Sequence, residues 1–244
     1  MNLCPRDLAF MAASGAGVTP TSYSGLIRWW DASFLSYADN TAIDNGSNKW
    51  TDRSASAAHA NQATGGLQPL VKTGIQNGLR GVLFDGTDDE LNFTAISGAT
   101  ALTILAVLKN TAIGQGTLGI LKNSGGNGDF RLDLGTLLEV KYRITDAGND
   151  TAICNQFSAS SSTPMCAGLA IDNGASNNAD FYEGATSRGT FTVATFSVTL
   201  DRIAAAVGAN FSGYLHEVVI YSAKRSAVEV AALYNTYFQP KWAL

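Results

Sequence analysis

Short apolar runs, separated by breaks rich in Gly, Asn, Ser and Thr, recur along most of the chain. Runs of this length bounded by turn-forming residues read as strands rather than helices. The pattern predicts strands over 25–31 (Gly25-Leu-Ile-Arg-Trp-Trp-Asp31), at 49–52 around Trp50, over 81–86, and again over 90–93. The run Ala101-Leu-Thr-Ile-Leu-Ala-Val-Leu108 is apolar on both faces, as a strand in the middle of a sheet must be. Further strands are expected over 117–122, 129–134, 138–144, 165–171, 179–183, 190–198 and 202–207. The last, over 212–221, alternates well: Tyr214, His216, Val218 and Ile220 fall on one face, and Leu215, Glu217, Val219 and Tyr221 on the other. About a dozen short strands with turns between them specify a sandwich or barrel, and no internal repeat points to a solenoid or propeller.

Helical periodicity is confined to the two ends. Ser226-Ala-Val-Glu229 is a capping box, with a hydroxyl accepting from the third helical amide and a glutamate reaching back. Behind it Val230, Leu233, Tyr234, Tyr237 and Phe238 form one apolar face, and Pro240 is expected to stop the helix. At the other end, Pro5 and the segment 6–13 suit a helix of two turns, and 14–24 reads as linker. Residues 1–24 are too few to bury Leu8, Phe10 and Met11 among themselves. They are expected to form a docking arm on a partner, with the sandwich domain occupying 25–244. The arm's apolar run is short and Asp7 interrupts it, so a cleaved signal peptide is not expected.

Composition sharpens this picture. Charged residues make up 15% of the chain, well under the usual quarter, while hydrophobic residues at 45% suffice for a core. The net charge of −4 and the scattered Lys and Arg give a phosphate backbone nothing to follow, so nucleic acid is not an expected partner. No apolar run approaches the ~20 residues of a membrane-spanning helix. The low charge suits packing against copies of the chain, and a homo-oligomer is expected. With 3 cysteines, complete pairing within one chain is impossible. Cys154 and Cys166 flank a Ser-rich turn and can face each other across a hairpin as a disulfide, leaving Cys4 in the arm. The other reading is three inert thiols.

Several stretches resemble the concanavalin A-like, laminin G-like superfamily. They are Leu26-Ile-Arg-Trp-Trp-Asp-Ala-Ser33, Trp50-Thr-Asp52, Gly81-Val-Leu-Phe-Asp-Gly-Thr-Asp-Asp89, and Phe211-Ser-Gly-Tyr-Leu-His-Glu-Val-Val-Ile-Tyr221 before the Ser-x-x-Glu helix. The resemblance covers roughly 25–238 and implies an all-β, two-sheet antiparallel jelly-roll sandwich with a short C-terminal helix. Its motifs are structural, so it speaks to fold more than to function. The variant it resembles most occurs in bacteriophage structural proteins. That implies a virion protein, in capsid decoration or a tail fibre, made in the host cytoplasm and attached to other virion proteins through the arm. A bacterial carbohydrate-binding module with no virion role is the alternative, and a glycan hydrolase is the third reading.

Catalytic chemistry is not expected. Glycosidases of this superfamily carry Glu-x-Asp-x-x-Glu on one strand, and none of the glutamates at 90, 139, 183, 217 and 229 has that spacing. Asp129 and Asp133 share a strand face as solvated charges. His59 and His216 neighbour no Gly-x-Ser-x-Gly elbow, so a nucleophilic triad is not expected either. No cofactor is expected apart from calcium, which the resemblance brings up. Asp85, Asp88 and Asp89 gather carboxylates on one turn, although an Asp-Gly pair is also what a tight turn requires. A glycan is the expected ligand. Its apolar face would need an aromatic platform and its hydroxyls polar neighbours. Trp50, Tyr142 and Tyr182, with Asn173 and Asn177, are the candidates.

Overall fold

A computed structural model describes residues 17–111, 116–123, 129–134, 138–143, 152–157, 163–174, 176–193, 195–204 and 210–244. The arm residues Leu8, Phe10 and Met11, and Cys4 with them, lie outside these. In chain order the strands are β1 (Leu26–Asp31), β2 (Thr41–Ala42), β3 (Leu70–Gln76), β4 (Leu79–Asp85), β5 (Leu91–Ala99) and β6 (Ala101–Asn110). There follow β7 (Gly116–Lys122), β8 (Asp129–Leu134), β9 (Leu138–Arg143), β10 (Ala152–Phe157) and β11 (Met165–Asp172). The chain ends with β12 (Ala179–Glu183), β13 (Thr186–Phe191), β14 (Val198–Ile203) and β15 (Ser212–Tyr221), then α1 (Ala227–Leu233) and α2 (Gln239–Trp242).

These strands form a two-sheet antiparallel sandwich. One sheet runs β13-β12-β11-β6-β15-β4-β3-β2, with β1 also paired to β15, and the other runs β10-β9-β8-β7-β14-β5. As its unbroken apolar run requires, β6 lies between β11 and β15. Leu102, Ile104, Ala106 and Leu108 point from it into the core between the sheets. Leu105 and Val107 point the other way, into a second apolar layer beneath the C-terminal helices. Each helix side chain that closes this layer (Val230, Leu233, Phe238 and Trp242) is 1% exposed or less. Transfer of such side chains from water is worth about 1.5–3 kcal/mol each, which holds the helices down.

Pro240 does not end the helix as expected. After α1 the backbone widens into a π turn over Tyr234–Phe238, and Pro240 then stands in the first turn of α2. A missing N–H breaks no ladder bond there. The helix stops instead at Ala243, whose left-handed φ of 52° closes the last turn. Gln76, at the end of β3, and Asn77, in the turn that follows, donate to the carbonyls of Trp242 and Lys241 at 2.6 and 2.9 Å. They satisfy acceptors that a helix terminus leaves open.

The alternation in β15 also changes phase. Leu215 pairs with Leu108 of β6, but Glu217 pairs with Val107, so residue 216 is an extra residue: a β-bulge. The bulge falls where the neighbour on the other side of β15 changes. β4 pairs with Ser212–Leu215, and β1 takes over from Glu217. As a result Leu215, Val218 and Ile220 face the core, whereas His216 and Glu217 both face the helices, not opposite sides.

The end of the expected linker is also part of this layer. Pro20 is buried and its carbonyl accepts from Tyr221 Oη at 2.9 Å, while Val18 packs against the helix-side cluster.

Candidate functional site

Three polar arrangements stand out among the described residues. The most buried is built by the bulge. Glu217 lies opposite Asp31 across β1 and β15, and both side chains are fully buried. Glu217 accepts from Trp29 Nε1 at 2.6 Å, Trp242 Nε1 at 2.7 Å, Tyr237 Oη at 2.9 Å and Lys241 Nζ at 2.7 Å. Asp31 accepts from Ser33 N and Oγ at 3.0 and 2.7 Å and pairs with Lys241. Burial, and then the charge of Asp31, hold the Glu217 carboxyl above its ordinary range, against the pull of Lys241. The same surroundings raise the Tyr237 phenol well above its ordinary value: burial first, then Glu217 and Asp31. Two carboxylates this close resemble an acid–base pair, but every donor around Glu217 is a protein group already bonded to it. The arrangement is a clasp between β15 and the helices.

The second arrangement is the acidic turn after β4. One carboxylate oxygen from each of Asp85, Asp88 and Asp89 lies within 4.8 Å of the others, close enough to share a hard cation. The turn is also satisfied without one. Asp89 accepts from the Asp85 amide at 2.8 Å, and Asp85 accepts from the Thr87 amide at 2.8 Å. Burial, with Asp85 and Asp88 adding to it, pushes the Asp89 carboxyl up to about 6. A bound cation would reverse that shift.

The third is a pocket of about 270 Å³ between the C-terminal helices and the hairpin of β12 and β13. Tyr234, Met165 and Leu244 give it apolar walls, and Glu183 and Thr186 give it polar ones. The hairpin turns on Gly184 and Ala185, with Gly184 at a φ of +59°. A β-carbon at Gly184 would lie 2.8 Å from the Tyr234 ring, so glycine both makes the tight turn and lets the ring lie against it. Arg188 pairs with Glu183 and fixes the carboxylate at the pocket wall.

The residues expected to hold a glycan are not gathered here. Trp50 is fully buried between the sheets and Tyr182 is 1% exposed beneath the helices, so neither can be a platform. Both are bulky rings on strands, where core packing claims them first. Asn173 exchanges bonds with the backbone of Phe196, 2.9 Å in each direction, and so holds a loop. Asn177 is exposed, at a left-handed φ of 50°, with its carbonyl bonded to Lys224. Tyr142 belongs to β9, where its Cα partners are Phe130 and Ala152, and Phe130 in turn partners the buried Leu121. The expected disulfide is not formed: Cys166 is a free, buried thiol on β11, and Cys154 is on β10 of the other sheet. Burial raises the Cys166 thiol well above its usual range. His59 is half-buried and accepts from the Asp52 amide at 3.1 Å, so it shapes a turn.

No protein-family model matches the chain, and no curated protein matches it. Solved structures do. Domain 4 of AbnA, a GH43 extracellular arabinanase from Geobacillus stearothermophilus, solved with arabinotriose, superposes with a TM-score of 0.59 at 12% identity. That match covers 81% of this chain and 98% of the domain. A sialidase from Trypanosoma rangeli gives 0.56 at 15% identity, covering 94% of this chain but 36% of the sialidase. The binding domain of Paraclostridial Mosquitocidal Protein 1 gives 0.57 at 14%, covering 82% of this chain and 52% of that one. At these identities the likeness is one of fold, and it agrees with the jelly-roll sandwich expected from the sequence.

Proposed function

We propose that the chain is a non-catalytic carbohydrate-binding sandwich. The observation that carries this reading is the pocket beside Tyr234, where an aromatic ring and two aliphatic side chains meet a carboxylate and a hydroxyl. A sugar has the same two-sided character, with C–H groups that pack on a ring and hydroxyls that need polar partners. At about 270 Å³ the pocket takes one ring rather than a chain of them, which suits the end of a glycan. Two similarities support the reading. One matching domain was solved with arabinotriose, and another is the binding domain of a larger protein. The clasp supports the non-catalytic part, because the buried carboxylate pair opposite each other on β1 and β15 has its donors already in place.

The test is a glycan array followed by titration of the best ligand. Thr186 is exposed on the hairpin rim, so Thr186→Trp fills the pocket without touching the core. A loss of at least about tenfold in affinity is expected, because the sugar loses its apolar contacts outright. Retained affinity in Thr186→Trp moves the site elsewhere, and silence across neutral and acidic glycans removes the reading. The virion setting implied by the resemblance adds a role for residues 1–16. In that setting their deletion abolishes particle association and leaves glycan affinity unchanged. Particle association that survives the deletion removes the docking arm.

A further inference from the structure

The surface beside the clasp carries a cation with no acid paired to it among the described residues. Arg53 is exposed, and its guanidinium carbon lies 3.4 Å above the centre of the Phe34 ring and 4.9 Å from that of Trp29. The first distance is a stacking contact, the arrangement in which Arg can keep N–H groups available. No ion pair holds Arg53 among the described residues. The nearby acids are all committed elsewhere. Asp52, next in the chain, accepts from the amides of Trp29, Ser54 and Ala58 and from the hydroxyls of Ser54 and Ser56. Asp31 and Glu217 are spent on Ser33, the two Trp indoles, Tyr237 and Lys241.

Both members of the stack are fixed from below. Phe34 ends the 3₁₀ turn Ala32–Phe34, whose N-cap Asp31 accepts from the Ser33 amide, and the Leu35 amide bonds back to Ala32 at 3.1 Å. The Arg53 amide donates to the Trp29 carbonyl at 2.8 Å. Phe34 is nonetheless 57% exposed, one of two large apolar side chains in that state among the described residues. An apolar ring left in water, with a pre-set guanidinium on it, is the half of a binding site that a protein can supply in advance.

We infer that Phe34 and Arg53 form a second contact surface, one that receives a carboxylated sugar residue. This rests on the carbohydrate-binding reading and names the ligand class within it. The Arg fork takes the carboxylate through two parallel N–H···O bonds, and the exposed part of Phe34 takes the C–H face of the sugar ring. A chain of net charge −4 repels a densely charged polymer, so the ligand is a saccharide with isolated carboxylates rather than a polyphosphate or an acidic peptide.

The experiment compares a trisaccharide ending in glucuronic acid with the matching trisaccharide ending in glucose, titrated by calorimetry into the full chain. The wild-type protein is expected to favour the acidic probe by about tenfold, the worth of a charge-assisted bidentate contact at an exposed site. Arg53→Met is expected to abolish that preference while leaving the thermal midpoint unchanged. Arg53→Lys, which keeps the charge but not the fork, restores part of it. Equal affinity for the two probes, or a preference that survives Arg53→Met, overturns the inference and leaves the carbohydrate reading standing. Tighter binding of a tetraglutamate peptide than of the acidic sugar also overturns it. Failure to bind either probe, with a silent glycan array, removes both.

Discussion

Glu217→Ala is expected to lower the stability of the fold by about 3–5 kcal/mol, the cost of breaking a buried charged network on one side. The glutamate is fully buried and collects four donors: two indole N–H groups, a phenol and an ammonium. Alanine leaves all four without that acceptor, and three of them belong to Tyr237, Lys241 and Trp242 at the end of the chain. The effect should therefore be spatially biased. Trp242 fluorescence shifts to the red at lower urea than the sheet signal in circular dichroism, because the helices come away first. Glu217→Gln falls between, since its amide keeps one acceptor oxygen but turns an N–H₂ toward donors. A loss under about 1 kcal/mol for Glu217→Ala would mean that apolar packing alone holds the helices.

Where sequence and structure agree, the reason is periodicity. The unbroken run in β6 can only sit centrally with apolar layers on both sides, and it does. The capping box at Ser226 and Glu229 forms as spelled, with Ser226 N to Glu229 Oε2 at 2.8 Å. Strands with one fully buried position were illegible: in β3 Lys72, Thr73, Gly74 and Gln76 interrupt the apolar residues, and only Val71 is fully buried. The bulge in β15 was illegible for a different reason. Nothing in Leu215-His-Glu-Val218 marks an inserted residue. The insertion exists because two partner strands meet there, a fact of topology rather than of local pattern.

The candidate site was less legible than the fold. Trp50 and Tyr182 have the right chemistry for a glycan platform, and so does every aromatic core residue. What separates platform from core is which side of the sheet a strand presents and whether a helix covers it. Tyr234 read as one more member of an apolar helix face, yet the π turn leaves it half-exposed at a pocket. The Gly184-Ala185 hairpin was the available clue, since it brings Glu183 and Thr186 to one edge.

Acid should expose two opposing responses beneath Trp242. His216 is fully buried, 5.1 Å from the Trp242 ring and stacked with Tyr214. Burial, with Lys109 adding to it and the Arg80 backbone opposing it, pulls its pKa down to about 4 from 6.5. For a depressed group the unfolded chain binds more protons, so stability is lost as pH falls from about 6.5 to about 4. The full shift is worth about 3 kcal/mol. Glu217 has the contrary sign. Its folded value is raised, so its share is fully present below its ordinary 4.5 and is lost as pH rises through the folded value. Asp89, raised to about 6, has the same sign as Glu217 and is common to every variant, so each variant is read against the wild type. His216→Leu lacks the histidine's loss, and its stability relative to wild type should climb by up to about 3 kcal/mol as pH falls from about 7 to about 4.5. Glu217→Gln lacks the glutamate's gain, and its stability relative to wild type should drop over the same range. Urea midpoints at each pH measure both differences, and differences of the same sign in the two variants would disprove the opposition.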